Sequence, residues 1–251
     1  MNNCKKILFC ILLVAGLFQA CQPNYFDDSG THDPNFNGSM WEYLGTRPEL
    51  FDTLRVALRL ADFEGTLQRE DVTFFAPSDQ TILRSVWALN SSLRTAGQDT
   101  ITRLEQVSPA VWRKFLSRYI LRGNYRLRDF PQQDTLNLSA FPGQGYLTYD
   151  GTDMNIGVLY NDVATVTSDG SQQVIKYAGY RRLYLNMPYS RSVEGTVNFV
   201  PFITGPVATT DIRPHNGVLH VLQFSLHSFG FLSQLFVQEA LAGGITYQNE
   251  P

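Results

Sequence analysis

Cysteine is almost missing from this chain. The three present, Cys4, Cys10 and Cys21, fall within the first 21 of 251 residues. A disulfide framework and a cysteine-based zinc site are therefore excluded from the body of the protein. Histidine is nearly as scarce: only His215, His220 and His227 lie in the body. No Asp or Glu accompanies them after Asp211, so no metal site is expected, and His220 reads as a structural histidine that needs a partner. A basic surplus is also lacking, with 20 Lys plus Arg against 23 Asp plus Glu, which argues against nucleic-acid binding. The one long apolar run, Ile7 to Phe18, is 12 residues, too short to cross a bilayer as a helix of roughly 20. No internal repeat is present.

Catalytic signatures are missing too. There is no Gly-x-Ser-x-Gly elbow. Gly143-Gln144-Gly145 opens a dinucleotide-like spacing, but no helix follows and residue 148 is Thr, so it reads as a turn. Asp150, Asp153 and Asn155 suggest a calcium loop only until Met154 and Asn161 are placed in ligand positions. Glu70-Asp71 reads as a solvated loop. Neither an enzyme nor a cofactor is expected.

What is present is the composition of a folded domain, 43% hydrophobic and 17% charged. Lys5 and Lys6, the apolar run and Gln19-Ala20-Cys21 have the shape of a secretory signal. A small residue followed by Cys21 is similar to a bacterial lipoprotein signal, cut after residue 20 and acylated on Cys21. The alternative is an ordinary cleaved signal with a cysteine at the boundary. Several acyl chains on one residue give a stable anchor. Residues 21–38 are polar and turn-rich and are expected to be a flexible tether.

In the body, Ser39-Met40-Trp41-Glu42 has capping-box spacing, and a helix from Pro48 would bury Leu50, Leu54, Ala57, Leu58 and Ala61. Val72 to Phe75 reads as a strand stopped by Pro77, with Ser78 or Asp79 capping a helix that turns Ile82, Leu83 and Val86 inward. A polar loop is expected over 90–100, then a helix opened by Ser108-Pro109 and ended near Gly123. From Tyr125 the pattern changes to strands: a hairpin with Asp150-Gly151 as a type I′ turn, then Gln173 to Ala178, Arg182 to Leu185, Val197 to Ile203 and Val218 to Phe224. Helices first and strands later, without βαβ alternation, predict an α+β fold. Phe231, Leu232, Leu235, Phe236, Ala240 and Leu241 predict a C-terminal amphipathic helix, docked on the domain or free for a partner.

Two stretches are more specific: Thr73-Phe74-Phe75-Ala76-Pro77-Ser78-Asp79, and Asn216-Gly217-Val218-Leu219-His220-Val221-Leu222. In that order they resemble the two signature boxes of the fasciclin-like (FAS1) domain family. The resemblance covers 39–228 and implies a single domain with N-terminal helices on a mostly antiparallel β-sheet wedge or sandwich. Residues of about 161–210 exceed the family pattern and read as a long insertion, leaving 229–251 as the C-terminal helix and tail. The family commonly places a tyrosine–histidine pair between the boxes; here the residues are Arg118-Tyr119, so the histidine is missing.

Tyr177, Tyr180, Tyr184 and Tyr189 are interleaved with Lys176, Arg181, Arg182 and Arg191. Tyrosine and arginine dominate binding hot spots, and tyrosine faces stack on sugars. Alternation puts Tyr180, Arg182 and Tyr184 on one face as candidate ligand contacts; the plainer reading is a packed strand pair with a snorkelling rim. The expectation is a non-catalytic binding module, lipid-anchored at the outer membrane or cell surface. Its ligand would be an extracellular or outer-membrane protein, or else a glycan handled beside an uptake system.

Overall fold

The computed structural model describes residues 34–167, 169–188 and 202–247. Cys21, the signal, Tyr189 and Arg191 lie outside the described residues. Five helices precede most of the strands. Ser39 opens α1 (Met40–Gly45) with both halves of the capping box, its hydroxyl accepting from the Glu42 N–H and the Glu42 carboxylate from the Ser39 N–H. Pro48 starts α2 (Pro48–Leu60), where the missing proline N–H is harmless. Its buried stripe is Phe51, Leu54, Ala57 and Leu58; Leu50, expected inside, is exposed because the stripe begins one residue later. A short α3 (Glu64–Arg69) leads to β1 (Val72–Ala76), buried along its whole length.

The next helix, α4 (Asp79–Thr95), runs well into the stretch expected to be a polar loop. Leu89 and Leu93 continue the buried face of Ile82 and Val86, so tertiary packing outweighs the polar composition of 90–95. Pro109 starts α5 (Pro109–Leu116), which tightens into a 3₁₀ turn over Ser117–Tyr119 and becomes β2 (Ile120–Arg122) before reaching Gly123. The strands that follow are β3 (Gln144–Leu147), β4 (Asp153–Tyr160), β5 (Val163–Val166), β6 (Gln172–Ile175), β7 (Arg181–Pro188), β8 (Phe202–Ile212) and β9 (Gly217–Leu222). The last helix is α6 (Ser233–Gly243).

Seven strands form one sheet in the order β2-β1-β9-β8-β7-β4-β3, and β5 with β6 makes a separate two-stranded ribbon. The α+β class holds, but the expected wedge or sandwich gives way to a single mixed sheet. β1 and β9 pair in parallel, Phe74 opposite Leu219 and Phe75 opposite His220, while the other neighbours are antiparallel. A parallel pair needs a long connection, and here α4, α5 and seven strands, β2 to β8, lie between the two. Helices take the place of a second sheet: Leu54, Leu89, Trp112 and Phe236 share one hydrophobic core with Phe74, Leu185 and Leu219.

Three boundaries also shift. Residues 34–38, expected within the tether, run along the β8–β9 connection, with Phe36 N–H on Arg213 O at 2.9 Å and His215 N–H on Gly38 O at 2.9 Å. Within the 161–210 stretch, expected to be an insertion, β7 and β8 are interior strands of the sheet; the β5–β6 ribbon is the part that stands outside it. The β3–β4 hairpin forms, but Asp150 does not take the positive φ that a type I′ turn requires. Gly151 alone does, at 80°, inside a longer loop closed by Thr148 N–H on Thr152 O.

Candidate functional site

The two boxes build the same seam. Thr73 is fully buried in β1; its hydroxyl donates to Gly123 O at 2.7 Å and accepts from the Tyr125 N–H at 2.8 Å. His220, fully buried in β9, holds the same segment from the other side. Its Nε2 meets Tyr125 O at 3.0 Å, and its Nδ1 accepts from the Asp211 N–H at 3.3 Å. Those partners fix a neutral ring with the proton on Nε2. Burial holds the His220 pKa down, at about 4. Asp211 itself has φ of 62° at a bulge in the β8–β9 pairing, and its carboxylate accepts from the Leu127 N–H at 2.7 Å.

Asn216 lies in the turn that leads into Gly217 and β9, and its side chain is a buried clamp. Its Oδ1 accepts from the Met40 N–H at 2.8 Å, and its Nδ2 donates to Leu67 O and Glu70 O at 3.0 Å each. It thus ties the start of α1 to the end of α3. Gly217 must be glycine: a Cβ there would lie 2.0 Å from Val72 O. Phe74, Phe75, Ala76, Leu219 and Leu222 are core, Val218 is buried, and Val221 packs half-buried against that core. Pro77 is buried at the corner after β1. Neither Ser78 nor Asp79 caps α4 through its side chain. The Ser78 hydroxyl lies 3.1 Å from that of Thr81, and the Asp79 carboxylate accepts the Leu54 N–H at 2.8 Å, joining α4 to α2.

The histidine missing beside Tyr119 is supplied from elsewhere in the chain. Tyr119 is fully buried, its hydroxyl 2.9 Å from His227 Nε2 and accepting the Gly230 N–H at 2.7 Å. Its ring lies between Phe229 and Phe231, nearly parallel to both. Burial raises the Tyr119 pKa and, with the nearby Arg84 charge, lowers that of His227 to about 3. This node fastens the stretch before α6 to the sheet. Spacing could not have shown it, because 108 residues separate the two rings.

The tyrosine–arginine candidates lie at the β4–β7 end of the sheet. Leu183 and Leu185 point into the core, while Arg182 and Tyr184 alternate away from it and remain half-buried. The Arg182 guanidinium sits 5.7 Å from the centre of the Tyr184 ring and donates to Gln223 Oε1. Tyr184 pairs across to Gly157 and Pro206. Tyr180, just before β7, is 68% exposed. Arg181, directed to the other side, stacks over Tyr160 at 4.6 Å. Tyr177 is drawn away, its hydroxyl donating to Asp134 at 2.9 Å. The same outward face continues into an amide network that sequence reasoning missed: Asn186 Nδ2 donates to Gln133 Oε1 at 2.8 Å and to Asn155 Oδ1 at 3.2 Å. Only the strand register brings these three together.

No group of three or more His, Cys, Asp or Glu among the described residues is placed to hold a metal ion. No helix among them is long and apolar enough to cross a membrane. Residues 49–226 match the family model of the Fasciclin domain. The chain belongs to the fasciclin-domain family. Among solved structures it is similar to a FAS1 domain pair from the insect cell adhesion molecule fasciclin I, at 13% identity and a TM-score of 0.44. That likeness covers 74% of this chain and 49% of the other, so this chain spans about half the length of the pair. No curated protein matches it. Within this fasciclin domain, then, the residues of both signature boxes are engaged in holding strands, helix ends and the Gly123–Leu127 segment in place.

Proposed function

We propose that this fasciclin-domain chain is a non-catalytic binding module, lipid-anchored through Cys21 at the outer membrane or cell surface, that makes protein–protein contacts in cell adhesion. Membership of the family supports contact-making as the general role. One observation carries the location: Tyr180 is 68% exposed just before β7, and Arg182 and Tyr184 follow it, half-buried, on the side of that strand away from the core. Such side chains offer wide amphipathic contact area at small entropic loss. Residues 1–20 are removed, residues from Cys21 to the start of the described body serve as tether, and the body from Pro34 onward is the contact-making domain.

The test uses beads coated with the chain and scored for adhesion to intact cells of the source type. Tyr180→Ala with Tyr184→Ala should reduce adhesion at least tenfold, about 1.4 kcal/mol. Competition by soluble polysaccharide that abolishes adhesion would instead favour a glycan ligand on the same tyrosine faces. Cys21→Ala should move the protein from the membrane to the soluble fraction; retention after a high-salt wash would argue against the anchor.

A further inference from the structure

The turn after β9 and the exposed side of α4 form a second surface. Residues 223–226 make a tight turn, the Leu226 N–H donating to Gln223 O at 3.1 Å. Phe224 and Leu226 on that turn are 49% and 60% exposed. Arg84 of α4 holds the turn in place: its guanidinium donates to Phe224 O and, at 3.1 Å, to His227 O. Trp87, three residues further along the helix and so on the same side as Arg84, is 63% exposed. Apolar residues exposed singly need no explanation, but two aromatic rings and a leucine grouped around one fixed arginine do.

This patch lacks negative charge. No Asp or Glu occurs between Asp79 and Asp99, the stretch that contains the exposed side of α4, and none between Asp211 and Glu239, the stretch that contains the turn. Asp79 is taken up by the Leu54 N–H at the start of α4, and Glu239 pairs with Lys114. No carboxylate of the described residues lies within ion-pair distance of Arg84. Asp52 and Glu105 line the neighbouring groove between α2 and α4, where Arg55, Arg59 and Arg103 accompany them. That groove is balanced in charge; the patch is not. Trp, Phe and Leu grouped around a cation are the side chains that settle at a membrane–water interface, where rings sit at headgroup level and anionic lipid attracts arginine.

We propose that the Trp87, Phe224 and Leu226 patch rests on an anionic lipid surface, its apolar side chains at the acyl boundary and the charge of Arg84 drawing headgroup phosphates. The proposal rests on the Cys21 anchor for the nearness of a membrane. Residues 21–33 can span at most about 45 Å, which keeps the body close to the bilayer that holds the anchor. Once a chain is anchored, a second contact with the same membrane is intramolecular, so a weak one is enough to orient the domain. A second copy is a poorer occupant, because two patches meeting about a two-fold axis would set Arg84 against Arg84. Gln223, which accepts from Arg182, marks the border between this patch and the tyrosine face.

The test uses the mature chain from residue 21 with Cys21→Ala, free of signal and acyl groups, and vesicles of two parts phosphatidylcholine to one part phosphatidylglycerol. Trp41 and Trp112 are buried, so a shift of tryptophan emission to shorter wavelength reports Trp87. That shift should appear with these vesicles. Partitioning onto phosphatidylcholine alone should be at least threefold weaker, and about 0.5 M NaCl should remove most of the difference. Phe224→Ser with Leu226→Ser should lower co-sedimentation at least tenfold. Leu226→Ser alone should lower it about threefold with an unchanged melt, which guards against loss of fold as the cause. No emission shift, or partitioning unchanged in both variants, would overturn the proposal. So would loss of cell adhesion in the double variant when the parent chain binds no vesicles, since the patch would then be a protein contact. Loss of vesicle binding in the Tyr180→Ala, Tyr184→Ala chain would move the lipid contact to the tyrosine face and overturn it as well. The vesicle assay contains no acyl chain, so a failed anchor shows only in fractionation of the wild-type chain, and the two readings fail separately.

Discussion

The β1–β9 seam and the β4–β7 end of the same sheet treat polar side chains in opposite ways. At the seam, Thr73, Asn216 and His220 turn inward and are taken up by backbone groups of other elements: Gly123 and Tyr125, Met40, Leu67 and Glu70, Asp211. At the β4–β7 end, Arg181 and Arg182 lie against Tyr160 and Tyr184, and Tyr180 is left open to solvent. A buried polar group that satisfies a backbone group specifies where that backbone must be, since leaving it unpaired costs about 1–3 kcal/mol. An exposed ring pays little for its position and remains available for contact. The residues that make the family recognisable therefore hold the fold, which leaves the proposed ligand contacts to residues outside both boxes.

The largest effects should come from breaking the seam. Gly217→Ala sets a Cβ 2.0 Å from Val72 O and should abolish cooperative folding or remove at least about 4 kcal/mol in urea denaturation. Asn216→Ala strands one N–H and two carbonyls and should remove about 3 kcal/mol or more. A loss below about 1 kcal/mol in either variant would mean that the seam is not the specifying region.

Acid should act on the same seam. His220 and His227 are neutral in the fold, with pKa values lowered to about 4 and about 3, while an unfolded histidine titrates near 6.5. The unfolded chain therefore takes up protons first as pH falls. The stability these groups contribute is fully present above about pH 6.5 and is lost below it, by about 1.4 kcal/mol per pH unit for each histidine, until the folded ring titrates. Gln at 220 can accept from the Asp211 N–H and donate to Tyr125 O, so His220→Gln should keep the fold and remove one proton from the slope of stability against pH between 6 and 4.5. An unchanged slope would exclude His220 as the source. Tyr119→Phe, a somewhat smaller change, leaves the Gly230 N–H and His227 Nε2 unpaired and should remove about 2 kcal/mol, read in the same urea series.

What was legible from sequence divides along the same line. The capping box at Ser39, proline at the start of α2 and α5, and the apolar run of β9 are local signals, and each gave its element. The α4 extension was missed because residues 90–95 are polar in composition yet contribute Leu93 to the core and Asn90 side-chain bonds to Ile101. The clamp made by the Asn216 side chain is hidden for a related reason: Asn-Gly signals the turn before β9, and nothing local reveals that Met40, Leu67 and Glu70 converge on it. The parallel β1–β9 pairing and the Tyr119–His227 contact depend on elements distant in sequence, which no short-range spacing encodes. At the candidate surface, period-two alternation separated Arg182 and Tyr184 from Leu183 and Leu185, but the stacking of Arg181 on Tyr160 and the Gln133–Asn155–Asn186 network needed the register.

The smallest expected effect is also the one that separates contact from packing at the β4–β7 end. Tyr180 is 68% exposed and no ring contact is found for it among the described residues, so Tyr180→Ala should change stability by no more than about 0.5 kcal/mol. Tyr184 is half-buried beside Arg182, so its truncation removes some packing along with the ring. Tyr184→Ala should therefore cost about 1–2 kcal/mol, still below the 3–5 kcal/mol of a fully buried aromatic. Thermal and urea melts of the two single variants, run beside the bead-adhesion assay, set the two quantities against each other. Adhesion lost in Tyr180→Ala with an unchanged melt identifies a contact residue. A loss above about 3 kcal/mol in either variant would make this end of the sheet a core like the seam, and the contrast between the two regions would fail.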